Sequence, residues 1–123
     1  MKLLVVDDSE LMRSIVEDVL RDKLTHSISD LEFFHAANGE DALKIMREYD
    51  INLVFLDWNM PILDGIEFVK DVRSKGNRVP IVMITSITDS DRILQAAAAG
   101  VNSYLEKPIK GQELWDQIRM FFQ

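Results

Sequence analysis

What most constrains this chain is an alternation repeated along its whole length. Five short runs rich in Leu, Val, Ile and Phe lie at residues 2 to 6, 31 to 36, 52 to 56, 79 to 84 and 101 to 105, and segments with helical periodicity separate them. Runs that are apolar at successive positions suit strands covered on both faces. Strands alternating one by one with helices predict a parallel sheet between two helical layers. The expected fold class is α/β, a doubly wound (βα)5 three-layer sandwich.

Local signals punctuate that pattern. Ser9, Asn38, Asp64 and Thr88 each precede a periodic segment as candidate N-caps, and the pairs Asp64 with Glu67 and Thr88 with Asp91 have the spacing of capping boxes. Gly76 and Gly100 stand where helices should stop. In the first helix, Leu11, Met12, Ile15, Val16, Val19 and Leu20 predict one wide apolar stripe. The last helix is expected over roughly 112 to 122, with Leu114, Ile118 and Phe121 on its core face. Trp115 and Phe122 lie off that stripe, either as further core or as a partner surface. Ala96 to Ala99 are expected to let the fourth helix pack closely, and Thr25 to Asp30 to form an exposed connection.

With 123 residues and 47% hydrophobic content, the chain can build one core, so residues 1 to 123 are expected to form one domain. A formal charge of -7 repels a phosphate backbone and argues against nucleic-acid binding. The absence of cysteine rules out a disulfide framework and a thiolate metal site. The opening MKLLVV meets Asp7 and Asp8 too soon for a signal peptide, and no run is long enough to span a membrane. A cytoplasmic protein that meets protein partners, without membrane insertion, is the expectation.

The acidic residues carry information through their positions. Ligands of open α/β sheets bind beyond the carboxyl ends of the strands, where the strand order reverses. In the flavodoxin-like order 2-1-3-4-5 the first and third strands are neighbours there, so Asp7 and Asp8, ending the first, converge with Asp57, ending the third. Two carboxylates about 4 Å apart repel by roughly 4 kcal/mol at an effective dielectric near 20, and such a cluster calls for a proton or a cation. His26 and His35 are not near an acidic strand end, so an oxygen-liganding ion remains, and Mg²⁺ suits it best. Asp7 and Asp8 can also be read simply as turn or capping acids. Thr85 ends the fourth strand, and Lys107, followed by Pro108, ends the fifth. A cation, an ammonium and a hydroxyl around an exposed Asp supply what phosphoryl transfer needs.

The chain resembles the receiver domains of response regulators over nearly its whole length, and the single-domain chemotaxis regulators in particular. The resemblance rests on LLVVDDS at 3 to 9, LDWNMP at 56 to 61, Asp64 with Gly65, MITS at 83 to 86 and EKP at 106 to 108, taken in that order and spacing. It implies that Asp57 is the phosphorylated side chain. Asp8, Asp57 and the backbone carbonyl of Asn59 would ligate Mg²⁺, with Asp7 acting through water. Lys107 would bond the phosphoryl oxygens, Thr85 would move toward them, and Tyr104 would change rotamer in step. The signal would leave through the surface of the fourth helix, last strand and last helix. Asn59, Ser86 and Ile87 would govern access to the phosphoryl group. The Lys107–Pro108 bond is similar to one that is cis in this family.

The implied partners are a sensor histidine kinase, a phosphatase that ends the signal, and a downstream protein target, the flagellar motor switch if the chemotaxis likeness extends to function. A phosphorelay intermediate is an alternative role, and a Mg²⁺-dependent phosphatase with an aspartyl nucleophile a further one, although the chain has no length for a substrate-selecting cap. A flavin-binding module would need a hydroxyl-rich phosphate loop where the acidic pair stands. Three positions depart from the family pattern. The first helix joins the second strand through a longer connection, Ser86 replaces the usual Ala or Gly, and Ile87 is apolar where water attack is governed. Trp58, beside Asp57, is a natural fluorescent probe, while Met60 and Pro61 shape the following loop. His26 and His35 receive no role.

Overall fold

The computed structural model describes residues 1–24, 28 and 30–122. Five parallel strands, β1 (Lys2–Val6), β2 (Glu32–Ala36), β3 (Leu53–Leu56), β4 (Ile81–Thr85) and β5 (Ser103–Glu106), form one sheet in the order β2-β1-β3-β4-β5. Helices α1 (Glu10–Leu24), α2 (Gly39–Glu48), α3 (Gly65–Ser74), α4 (Ser90–Ala99) and α5 (Gly111–Ile118) alternate with them. The expected doubly wound architecture and strand order are therefore those of the folded chain.

Alternation of side chains along each strand sorts the apolar residues into two cores. Leu4, Val6, Val54, Leu56, Ile81 and Met83 face α2, α3 and α4, where they meet Leu43, Phe68, Val69, Val72 and Ala96. Leu3, Val5, Leu53, Phe55, Val82 and Ile84 face the other way, onto Val16, Leu20 and Leu24 of α1 and Leu114 and Ile118 of α5. Successive strand positions are buried because each face has its own helical layer. The edge strands β2 and β5 are the exceptions, leaving Glu32 and His35 on one and Glu106 on the other exposed.

Most of the punctuation acts as expected. Asn38 caps α2 through its side-chain oxygen, and Asp64 with Glu67 closes a reciprocal capping box on α3. The Ser9 hydroxyl accepts the Met12 N–H at 3.2 Å before α1. Gly100 ends α4 with φ 113°, a left-handed conformation that glycine adopts without a Cβ penalty. Gly76 follows the last turn of α3, also at positive φ.

Four expectations need correction. The cap of α4 is Asp89, whose carboxylate accepts the Arg92 N–H, and not Thr88; the helix begins one residue later than the Thr88–Asp91 spacing implied, which puts Asp89 three residues before the amide its side chain caps. The stripe on α1 is narrower than its sequence pattern: Val16, Leu20 and Leu24 form the seam on the sheet with Val19 half-buried beside them, while Leu11 is 71% and Ile15 37% exposed. Of the four alanines only Ala96 is fully packed, and Ala97 and Ala98 face outward. The last helix is α-helical only to Ile118 and tightens into a 3-10 turn over Arg119–Phe122. Leu114 and Ile118 are fully buried, whereas Phe121 packs on the core half-buried. Trp115 and Phe122 stack on each other with centroids 6.1 Å apart, between core and surface. Within the connection expected over Thr25 to Asp30, residues 25–27 and 29 lie outside the described residues, and His26 with them.

Candidate functional site

At the carboxyl ends of the strands, β1 delivers Asp7 and Asp8, and the neighbouring β3 delivers Asp57. One carboxylate oxygen from each lies within 4.8 Å of those of the other two. Asp7 and Asp57 are buried and Asp8 is exposed. Lys107, one residue beyond β5, reaches across the top of β4, and its ammonium donates to Asp7 Oδ2 and Asp57 Oδ2, both at 2.9 Å. Burial alone would lower the lysine's pKa. Its hydrogen bonds to Asp57 and then Asp7, with the attraction of both charges, outweigh burial and hold the pKa above the usual lysine value.

Backbone geometry holds the acids in place. Asp57 Oδ1 accepts the Trp58 N–H at 2.7 Å, and Asp7 Oδ1 accepts the Ser9 N–H at 2.9 Å. Gly65 opens α3 directly against the strand end, its N–H donating to the Trp58 carbonyl at 2.8 Å. A Cβ on Gly65 would sit 2.3 Å from the Asp57 carbonyl oxygen, which explains why glycine follows the capping Asp64. The Lys107–Pro108 bond is cis, and the Lys107 N–H donates to the Thr85 carbonyl, tying the ends of β4 and β5 together.

The remaining predicted residues surround this centre at different depths. Thr85 is buried, but its hydroxyl accepts the Ile87 N–H at 3.4 Å and, among the described residues, bonds none of the acids. Tyr104, half-buried, donates its hydroxyl to the Ile87 carbonyl. Its phenol is held above the ordinary range by burial first, then by Asp89 and Asp57, with Arg92 opposing. Ser86 is exposed, and Ile87 packs half-buried on the core of α2, α3 and α4. Asn59 is exposed and lines an open depression with Asp8, Met60, Pro61 and Asp64. Trp58 is buried in the core, with the Arg92 guanidinium 5.5 Å above its ring. The sequence reading missed Arg13, whose guanidinium donates to the Asp7 carbonyl oxygen at 2.6 Å, and it assigned nothing to His35, which bonds Arg13 and Glu17. No local pattern announces either contact, because His35 arrives from β2.

Chemically, three carboxylates with oxygen donors only suit a hard divalent cation, and a single ammonium cannot neutralise all three charges. The sequence matches the model of the response regulator receiver domain over residues 3–119. It is 35% identical over 125 residues to chemotaxis protein CheY-3 of Vibrio cholerae, covering 100% of this chain and 92% of that protein. A chemotaxis protein CheY homolog of Campylobacter jejuni is 39% identical over 120 residues, covering 96% of this chain and 89% of its own. The solved structure of the chemotaxis response regulator CheY4 of Vibrio cholerae superposes with a TM-score of 0.84 at 31% identity, covering 98% of this chain and 97% of that one. The chain therefore belongs to the response regulator receiver domain family and is CheY-like.

Proposed function

We propose that this chain is the receiver domain of a two-component response regulator and accepts a phosphoryl group on Asp57 in a Mg²⁺-dependent reaction. The observation that carries the reading is the meeting of Asp7, Asp8 and Asp57 within 4.8 Å under the shared Lys107 ammonium. Asp8, Asp57 and the Asn59 carbonyl would hold Mg²⁺, with Asp7 bonded through water. When bound, the ion neutralises charge building on the equatorial phosphoryl oxygens.

The chain's own residues supply the rest. An Asp57 carboxylate oxygen attacks phosphorus as the P–N bond of the kinase's phosphohistidine breaks. The electron pair leaves on the imidazole nitrogen, and the new O–P bond makes an aspartyl phosphate. Lys107, already on Asp57, is placed to follow its charge onto the phosphoryl oxygens. Thr85 would exchange its Ile87 contact for the phosphoryl group, and Tyr104, bonded to the same Ile87 through its carbonyl, would register that change at α4, β5 and α5. Asn59, Ser86 and Ile87 would set the access of water. The protein assists its own phosphorylation and dephosphorylation and turns over no separate substrate.

The names of its relatives, chemotaxis proteins, favour chemotaxis as the output. The partners are then a sensor histidine kinase, a phosphatase and a downstream protein such as the flagellar motor switch, reached in the cytoplasm. Incubation with acetyl phosphate and Mg²⁺, followed by mass spectrometry, tests the assignment. The wild type is expected to gain one phosphoryl group and Asp57→Asn none; labelling that persists at the same site in Asp57→Asn would overturn it.

A further inference from the structure

Asp8 is the exposed member of the acidic cluster, and among the described residues its carboxylate has no hydrogen-bond partner. Its direction therefore depends on the peptide plane that joins it to Asp7. Arg13 from α1 holds that plane through its oxygen, donating to the Asp7 carbonyl at 2.6 Å, while the peptide before it is anchored by the Asp7 N–H on the Ala36 carbonyl of β2 at 3.1 Å. Arg13 is itself anchored, its Nε–H donating to His35 Nδ1 at 3.3 Å. Since Nδ1 accepts, the ring proton sits on Nε2, which donates to Glu17 Oε1 at 2.6 Å. Arg21 holds the other Glu17 oxygen at 2.9 Å. Burial would raise the Glu17 pKa, but the bonds from His35 and Arg21 outweigh it and keep the carboxyl below its usual range.

From this chain of contacts we infer that Arg13 is a positioning residue for the cation, braced by His35 and Glu17, which aims Asp8 by fixing the Asp7–Asp8 peptide. The inference rests on the proposal that Asp8 and Asp57 hold Mg²⁺. Charge and position make opposite claims here. A guanidinium beside the site repels a divalent ion, so its loss through charge alone would tighten binding. Loss of an orienting partner weakens binding, as is usual for groups that hold metal ligands from behind.

The test is a Mg²⁺ titration followed by Trp58 fluorescence, with Trp115→Phe removing the second emitter, alongside thermal midpoints in EDTA. Arg13→Gln is expected to weaken Mg²⁺ binding by about tenfold, the lower end for such partners. Arg13→Lys, which keeps the charge and a donor to the carbonyl but loses the His35 bond, should fall between Gln and wild type. His35→Phe, which leaves Arg13 in place without its brace, should weaken binding less than Arg13→Gln and provides the test should Arg13→Gln not fold. Tighter or unchanged binding in Arg13→Gln, or a fall in thermal midpoint with no change in Mg²⁺ affinity, would overturn the inference. If the wild type itself binds no Mg²⁺, the underlying metal assignment fails instead.

Discussion

Replacing Lys107 by Met keeps most of the side chain's length but removes the ammonium that Asp7 and Asp57 share. At an effective dielectric of about 20, each 2.9 Å contact represents about 6 kcal/mol of gross attraction, and carboxylate oxygens within 4.8 Å of each other repel by at least about 3.5 kcal/mol. Desolvation cancels much of that gross attraction, and removing one partner from a buried pair costs a net of about 3–5 kcal/mol. The lysine side chain keeps 20% of its exposure, which places Lys107→Met at the low end, about 3 kcal/mol. With an m-value of about 1.5 kcal/mol per M, the urea midpoint in EDTA should fall by about 2 M. The lysine pKa is raised from its usual 10.5, so this contribution is complete at neutral pH and is lost only as pH climbs through the raised value. Mg²⁺ should restore more stability to the variant than to wild type, and Asp57→Asn in the same chain should recover more than half of the loss. A variant as stable as wild type in EDTA, or one whose loss is the same with and without Asp57→Asn, would refute the shared-charge argument.

Two further outcomes are expected. Asp8→Ala should weaken Mg²⁺ binding by more than about tenfold, since it removes a ligand and not merely a partner behind one; unchanged quenching of Trp58 in the Trp115→Phe background would remove Asp8 from the cation's shell. Ile62 sits at φ 71° in a tight turn closed by the Leu63 N–H on the Pro61 carbonyl, and it is 72% exposed. Such a conformation strains a β-branched residue, so Ile62→Asn should stabilise the protein by about 1 kcal/mol and raise its thermal midpoint by about 3 to 5 °C; an unchanged or lower midpoint would show that the turn carries no strain from Ile62.

The alternation of apolar runs with amphipathic segments was enough to read the layers of this fold, because each strand buried on both faces announces that helices cover both. Caps that act within one turn were legible for the same reason: Asp64 and Glu67 are three residues apart, and the bond they form is local. The Thr88 cap failed within that same short range, since Asp89, next to it, is an equally competent acceptor and one residue decides which amide is left free. Burial read from periodicity also overshot. Leu11, Ile15 and the outward alanines of α4 follow a helical pattern, but a pattern states which residues share a face and not whether another element covers that face.

For the site, sequence alone determined which chemical groups end which strands: the Asp pair, Asp57, Thr85 and Lys107. Only the tertiary structure decided what those groups touch. The Lys107 ammonium chooses two of the three acids, the Thr85 hydroxyl turns to Ile87, and Arg13 and His35, 22 residues apart, meet behind Asp7. The reason is physical: strand ends are set by patterns that repeat every two or four residues, whereas contacts between side chains from different elements depend on how those elements pack in three dimensions.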